Sequence, residues 1–147
     1  MPTQENITMK RVFVSGCFDN LHPGHLDFLE YAKSRGDFLI VSIASDETIR
    51  KLKKREPIIP EYDRWRMIKA LKCVNQCFIS RGENSNFDFL EYLYNFRPNI
   101  WVINSEDKEM FEKKQIAQNL GIKIIEHHRP KNGYSTTDII EKIKKIK

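Results

Sequence analysis

Two histidines, His22 and His25, are the residues of this sequence best suited to chemistry on a phosphate group. Imidazole N–H groups can donate hydrogen bonds to phosphate oxygens that gain charge as a bond breaks. Gly16 and Gly24 allow the backbone to approach a ligand closely, and Pro23 stiffens the turn. A pair of histidines alone is more often incidental than functional, so the assignment depends on the segments around it.

Those segments predict a turn from a strand into a helix. Val12, Phe13 and Val14 form a short apolar run that is typical of a buried strand, and apolar residues recur at helical spacing after His25. We therefore expect a strand near 11–15 and a helix over about 23–34. The first amides of such a helix, and the positive end of its dipole, face the carboxyl end of the strand and favour phosphate.

The stretch GCFDNLHPGH resembles the G-x-F-D-x-x-H-x-G-H signature of the cytidylyltransferase-like nucleotidyltransferases. The resemblance implies that His22 and His25 contact a nucleoside triphosphate and stabilise the pentavalent phosphorus while a substrate phosphate attacks it. It assigns five further residues of this stretch to nucleotide binding: Gly16, Cys17, Phe18, Asp19 and Gly24.

A second stretch, GYSTTDII, stands near the carboxyl end of the chain. Serine and threonine hydroxyls at a helix start are ordinary caps. The stretch also resembles the second signature of the same family, in which hydroxyls and helix amides hold the outer phosphates. The resemblance places four residues at the nucleotide: Tyr134, Ser135, Thr136 and Thr137. A basic residue usually precedes this signature, and Arg129 and Lys131 are the two candidates.

The segment RKLKKREPIIP predicts a mobile basic loop beside the phosphate site, because its prolines make a long helix unfavourable. Before it, Asp46 can cap a short helix. An ordinary solvated run of charge is the alternative. The segment resembles the one that supplies a lysine to the phosphates in the family; Lys53 matches best, and Lys51 and Lys54 are the alternatives.

Arg64 follows Pro60 in a pattern that resembles the family's Pro-x-E-x-R segment. The resemblance implies that Arg64 reaches the nucleotide or the substrate phosphate. The alternative is a surface arginine paired with Glu61 on one helix.

Alternating strand and helix patterns predict an α/β fold. The apolar run from Phe38 to Ala44 is typical of a central parallel strand. Further strands are expected at 77–80, 100–103 and 122–126, and helices at 60–71, 87–96 and 108–119. The inward residues of the 108–119 helix are predicted to be Met110, Phe111, Ile116 and Leu120. The sequence therefore predicts a Rossmann-like, doubly wound, parallel five-stranded sheet flanked by helices, formed by one domain over 11–147 after a polar lead-in over 1–10.

Composition narrows the class of protein. The net charge is +5, and 31% of the residues are charged and 40% hydrophobic, which is typical of a globular protein. We expect no signal segment and no membrane span, and therefore a cytoplasmic protein. The basic clusters suit a polyanionic small substrate as well as nucleic acid, which we do not expect as a partner. The three cysteines lack metal-ligand spacing, so we expect reduced thiols and no protein-held metal. The aromatic residues over 87–96 suit a core or the face of a homodimer.

The resemblance implies an enzyme that transfers AMP or CMP from ATP or CTP, with Mg²⁺, to a phosphorylated small molecule and releases pyrophosphate. The sequence is most similar to the sugar-phosphate adenylyltransferases of ADP-heptose synthesis, which points to a sugar or polyol phosphate. Glycerol-3-phosphate cytidylyltransferases and FAD synthases are the alternatives. At 104–107 the chain departs from the family's glycine-rich loop, so a non-catalytic nucleotide-binding regulator is also considered.

Overall fold

The computed structural model describes residues 9–83, 85–131 and 133–146. Its centre is one parallel sheet in the order β3-β2-β1-β4-β5. The strands are β1 (Arg11–Gly16), β2 (Phe38–Ala44), β3 (Gln76–Ser80), β4 (Ile100–Asn104) and β5 (Lys123–His127). The strand order reverses between β1 and β4, so the crevice that such sheets use for ligands opens at the carboxyl end of β1. The predicted doubly wound α/β fold is confirmed.

Six helices connect and flank the strands. They are α1 (Pro23–Ser34), α2 (Asp46–Lys53), α3 (Glu61–Lys69), α4 (Leu90–Phe96), α5 (Met110–Leu120) and α6 (Thr136–Lys144). A short 3₁₀ turn, Ser85–Phe87, precedes α4. None of the helices in the described part of the chain is long and apolar enough to cross a membrane.

The two faces of the sheet carry separate apolar clusters. Val12 and Val14 point to the face covered by α1 and α3, whereas Phe13 points to the face covered by α4 and α5. On that second face the Phe13 ring lies 5.9 Å from the Trp101 ring, and both are fully buried. This alternation buries β1 on both faces of the sheet. The packing on both faces fixes the position of the end of β1, from which the histidine loop begins.

Helix α2 differs from the prediction at both ends. Its N-cap is Ser45, whose hydroxyl accepts the Thr48 N–H, and not Asp46. The helix continues to Lys53, because its apolar residue Ile49 is buried while the basic side chains face solvent. The basic segment is therefore helical up to residue 53, and only residues 54–60, which we call the strap, form a bent connection without regular secondary structure.

Two other helices also differ from expectation. The α4 helix begins at Leu90, because Phe87 belongs to the 3₁₀ turn and Phe89 is packed into the core. In α5, Phe111 is 71% exposed, and Lys113 occupies an inward position instead. Lys113 is tolerated there because its ammonium pairs with Asp107 at 2.6 Å.

Candidate functional site

The two histidines form a reciprocal cap at the start of α1. His22 is the N-cap, and its Nδ1 accepts the Gly24 N–H at 3.1 Å. The Nδ1 of His25 accepts the His22 N–H at 3.2 Å, and the two rings stack with centroids 3.7 Å apart. Because each Nδ1 is an acceptor, each neutral imidazole carries its proton on Nε2. The pair thus holds two N–H donors side by side in a fixed orientation.

Both imidazoles are held in the neutral form. Burial, followed by the charges of His22 and Arg129, lowers the pKa of His25 to about 4. Burial and the nearby Arg129 also lower the pKa of His22. Neutral Nε2–H groups can bind phosphate oxygens near pH 7, and a bound polyanion would favour protonation of either ring. The pair is therefore suited to neutralising charge that develops on a phosphate.

The second signature lies directly against the first. The Thr136 hydroxyl donates to the Asp19 carbonyl at 3.0 Å, and the Tyr134 ring lies 6.2 Å from the His22 ring. A Cβ on Gly24 would stand 3.0 Å from the Tyr134 carbonyl, so glycine is required for this close approach. Ser135 caps α6 by accepting the Asp138 N–H. The amino ends of α1 and α6 therefore meet at one place, where their amides and dipoles favour an anion.

Three further residues of the second signature region surround that junction. Arg129 donates to Glu106 at 3.1 Å, and its charge acts on both histidines. Tyr134 is 56% exposed, and Thr137 is exposed in the first turn of α6. A guanidinium, a phenol and a hydroxyl are thus available to a ligand at the junction of the two helices.

Asp19 anchors the strap to the histidine loop. Its side chain is 2% exposed, and its carboxylate accepts the N–H groups of Ile58 and Ile59 and, at 2.8 Å, the Nη1 of Arg55. Burial raises the pKa of Asp19, but these hydrogen bonds and the charge of Arg55 outweigh burial and keep the pKa below its ordinary value. Neither this role of Asp19 nor any role of Arg55 was predicted from the sequence, in which a carboxylate in the loop and an arginine in the basic segment were the available signals.

Arg64 lies apart from the histidine pair, beneath the loop. It is 1% exposed and donates to the carbonyls of Cys17, Ala44 and Ile59 and to the Asp46 carboxylate. These bonds use its fork of donors inside the protein, so in this conformation Arg64 does not reach the open edge. The alternative of a surface arginine paired with Glu61 is wrong, because Glu61 pairs with Arg81. Arg64 instead joins the ends of β1 and β2 to the start of α2.

The remaining predicted site residues are Lys53, at the end of α2, and Gly16, Cys17 and Phe18 in the loop that follows β1. Lys53 is exposed in the last turn of α2, and its charge acts on the Cys17 thiol, whose pKa burial raises. Lys51 pairs with Glu47 at 3.2 Å. Gly16 makes its close contact with the Phe18 ring, which a Cβ would meet at 2.9 Å. Gly16 and Phe18 therefore shape the loop, and the charge of Lys53 acts on it from the last turn of α2.

The loop at 104–107 is held by its own side chains. Asp107 accepts the Glu109 N–H and the Lys113 ammonium, and Asn104 Oδ1 lies 3.1 Å from the Nδ1 of His127. Burial lowers the pKa of His127, the last residue of β5. The loop that lacks the family's glycines is thus held in place by side-chain hydrogen bonds, and its Glu106 contacts Arg129 near the start of α6. Within residues 9–83, 85–131 and 133–146, no three His, Cys, Asp or Glu side chains are grouped to hold a metal ion.

The chain is similar over most of its length to known proteins. The chain is 36% identical over 148 residues to the bifunctional protein HldE of Helicobacter pylori J99, covering 99% of this chain and 30% of HldE. It is 35% identical over 141 residues to the FAD synthase of Pyrococcus horikoshii, covering 92% of this chain and 93% of that enzyme. The chain thus spans less than a third of HldE and nearly the whole of the FAD synthase.

Two solved structures share the fold of this chain. The lipopolysaccharide core biosynthesis protein from Thermoplasma volcanium superposes with a TM-score of 0.70 at 29% identity, covering 86% of this chain and 100% of that chain. The pantoate-beta-alanine ligase from Francisella tularensis shares the fold alone, with a TM-score of 0.64 at 19% identity. Residues 13–142 match the cytidylyltransferase-like family, a match that includes both signatures and the histidine pair. The chain therefore belongs to the cytidylyltransferase-like family.

Proposed function

We propose that this protein is a nucleotidyltransferase that transfers a nucleotidyl group from a nucleoside triphosphate to a phosphorylated small molecule. The observation that carries the proposal is the pair of Nε2–H donors on His22 and His25, fixed where the amino ends of α1 and α6 meet. A substrate phosphate is already a nucleophile, so little acid or base chemistry is required. Catalysis then consists of alignment and of neutralising charge on the α-phosphate and the leaving pyrophosphate.

Each element of the site has a part in this proposal. His22 and His25 stabilise the phosphorus undergoing substitution, and Lys53 supplies a cation from the β2 side. Arg129 and the hydroxyls of Ser135 and Thr137 bind the outer phosphates. Thr136 positions α6 through its bond to Asp19. Arg64 acts as a positioning residue, because its donors hold the loop and not a ligand.

The nucleotide enters as its magnesium complex in this proposal. The Asp19 carboxylate is saturated by Arg55 and two strap amides, so it is not free to bind the ion. Magnesium keeps several waters and binds largely through substrate phosphates in such sites. ATP and CTP are the candidate donors, and the similarity to HldE and to an FAD synthase supports adenylyl transfer.

Three wider expectations stay predictions. We propose that residues 11–147 form one nucleotidyltransferase domain, consistent with the match over residues 13–142. The exposed rings of Tyr94 and Phe96 on α4 support a homodimer. A cytoplasmic location without nucleic-acid partners is expected from composition alone.

The proposal is tested by measuring pyrophosphate release with ATP, CTP, GTP or UTP and magnesium, across a panel of sugar phosphates, glycerol 3-phosphate and FMN. We expect release with one donor and one class of acceptor. The His25→Ala variant should lose at least a hundredfold in kcat and remain folded. His128→Ala is the matched control, because His128 is exposed on the neighbouring loop and should leave kcat unchanged.

Two outcomes would contradict the proposal. Near-normal turnover by His25→Ala would remove the assigned role of the histidine pair. Tight binding of a nucleoside triphosphate without release of pyrophosphate from any pair would favour the non-catalytic regulator, for which the changed loop at 104–107 is the specific observation.

A further inference from the structure

A cleft of about 400 Å³ opens at the carboxyl ends of β2 and β3. The register pairs Gly16 with Ile43 and Ala44 with Ser80, so the ends of the three strands are level. Neighbouring strands are about 4.8 Å apart. The ends of β2 and β3, where the cleft opens, therefore lie roughly 5 and 10 Å to one side of the end of β1, from which the histidine loop begins.

The nucleotide phosphates are assigned to the opposite side of that loop. Arg129 and the start of α6 follow β5, and β4 and β5 lie on the other flank of β1. In an in-line displacement the attacking oxygen and the leaving pyrophosphate are on opposite sides of the α-phosphorus. The acceptor must therefore approach from the flank of β2 and β3, where this cleft opens.

The side chains that line the cleft are polar. They comprise two hydroxyls, two carboxylates and two cations, namely Ser45, Thr48, Glu47, Glu83, Lys51 and Arg81. No aromatic residue is among the described residues that line it. Glu47 and Glu83 are both exposed, and although the Oε1 of Glu47 pairs with Lys51 at 3.2 Å, both carboxylates remain accessible from solvent. Carboxylates accept hydrogen bonds from hydroxyl groups, whereas a flat aromatic ring system is bound between apolar and aromatic side chains.

A second cleft nearby shows the contrast. It has a volume of about 300 Å³ between β3 and α4, and its walls include Phe78, Tyr92 and Phe96. The Phe78 and Tyr92 rings are 4.7 Å apart, centroid to centroid, and already pack on each other. The aromatic side chains of this part of the protein thus lie between β3 and α4, whereas the polar cleft is lined by the first turns of α2 and by residues 81–83, which follow β3.

We infer that Glu47 and Glu83 determine the acceptor, selecting a hydroxyl-rich phosphate such as a polyol or sugar phosphate over a flavin. The inference rests on the nucleotidyl transfer proposed above. The acceptor hydroxyls donate to the two carboxylates, and its phosphate extends toward His22 and His25 past Lys53. A phosphate oxygen of the acceptor forms a bond to the α-phosphorus. The bond from that phosphorus to the bridging oxygen breaks, and pyrophosphate leaves with the electron pair.

The test uses the full chain with magnesium and the nucleoside triphosphate that supports turnover. Initial rates are measured with glycerol 3-phosphate, a set of aldose and alditol phosphates, and FMN. We expect the best polyol or sugar phosphate to exceed FMN at least a hundredfold in kcat/KM. In Glu47→Gln and Glu83→Gln, the KM for that acceptor should rise about tenfold, while the KM for the nucleotide and kcat change less than threefold.

Glu112→Gln is the control, because Glu112 is an exposed glutamate on α5, outside the cleft. It should leave all three constants unchanged. Preferred use of FMN, or an unchanged acceptor KM in both cleft variants, would overturn the inference and leave nucleotidyl transfer intact. Absence of turnover with every acceptor would overturn the proposed function and the inference together, so the two failures are distinguishable.

Discussion

The proton positions on His22 and His25 follow from backbone hydrogen bonds. Each Nδ1 accepts an N–H from the turn that begins α1, so each Nε2 is a donor without any carboxylate partner. This differs from a histidine oriented by an aspartate, where the partner raises the pKa of the ring. Here burial and neighbouring positive charge lower both pKa values. The rings are thus neutral donors before the substrate arrives.

The low pKa of His25 predicts a dependence of stability on pH. Its pKa is about 4 in the folded protein and 6.5 in the reference state, so the unfolded chain binds more protons between these values. The stabilisation is full above pH 6.5 and is lost as the pH falls toward 4. Urea unfolding of wild type and His25→Asn should show the wild type losing about 2 kcal/mol relative to the variant over that range. A difference that does not vary with pH would contradict the assignment.

The raised pKa of Asp88 predicts a dependence of stability on pH that is opposite in sign to that of His25. Asp88 is 8% exposed, its Oδ2 has no hydrogen-bond partner among the described residues, and burial raises its pKa to about 6. The folded protein therefore binds the extra proton, and stability falls as the pH rises from about 4 through 6.

Replacing Asp88 by asparagine should remove this penalty. The unfolding free energy of Asp88→Asn minus that of wild type should be about 2 kcal/mol greater at pH 7.5 than at pH 4, measured by urea unfolding at each pH. Asp138→Asn, on the exposed side of α6, should show no such gain. An equal difference in unfolding free energy between the variant and wild type at both pH values would indicate an effect on packing and not on ionisation.

At the scale of elements, Asp19 connects three parts of the chain. Its carbonyl holds the first turn of α6 through Thr136, and its carboxylate holds the strap through Ile58 and Arg55. The left-handed residue Lys54 ends α2 and turns the chain into the strap. One residue of the first signature therefore fixes the position of both neighbouring segments relative to the histidines.

This arrangement predicts that the strap loosens when the Asp19 charge is removed. Asp19→Asn removes a buried carboxylate from its pair with the half-exposed Arg55 and weakens its charge-assisted hydrogen bonds, and it should cost about 2 kcal/mol of unfolding free energy. It should also expose the bond after Arg55 to trypsin under native conditions. Arg55→Lys is the comparison variant, since it retains a cation near the carboxylate and should keep most of the protection. Equal rates of cleavage at the strap in wild type and Asp19→Asn would contradict the anchoring role.

At the scale of the whole molecule, the sheet order places all proposed binding segments on one edge. The histidine loop leaves β1 beside the reversal of strand order, with α2 on one flank and the 104–107 loop and α6 on the other. Segments far apart in sequence thus face one crevice. A polyanion that binds there, as we propose, would stabilise the folded state, because only the folded state presents these groups together.

We therefore expect a nucleoside triphosphate with magnesium to raise the thermal midpoint. At a hundred times Kd the gain is about 2.7 kcal/mol, or roughly 5–10 °C for a domain of this size. Differential scanning fluorimetry with the triphosphate and with the corresponding nucleoside provides the measurement. The nucleoside lacks the phosphates that we propose the two helix ends bind, so it should produce a much smaller shift. Equal shifts with both compounds would contradict a phosphate-centred site.

The sequence by itself determined the parts of this protein whose information is local. Periodicity and apolar runs predicted β2 and α1 with their observed bounds, because a strand buried on both faces and a capped amphipathic helix leave direct patterns. The two signatures were recognisable for a related reason, since close backbone approach and helix caps restrict residue types at fixed spacing. Family membership followed from them and is confirmed.

The tertiary structure alone decided which side chains are available to a ligand. The resemblance assigned Arg64 and Asp19 to the nucleotide or a phosphate, but carbonyls at the ends of β1 and β2 accept from Arg64, and amides of the strap donate to Asp19. Conversely, Arg55 and the polar cleft beside Glu47 became visible only when strands distant in sequence were placed in register. Hydrogen-bond donors and acceptors are paired with groups that are close in space but distant in sequence. Neither the spacing of residues nor their types identifies those partners.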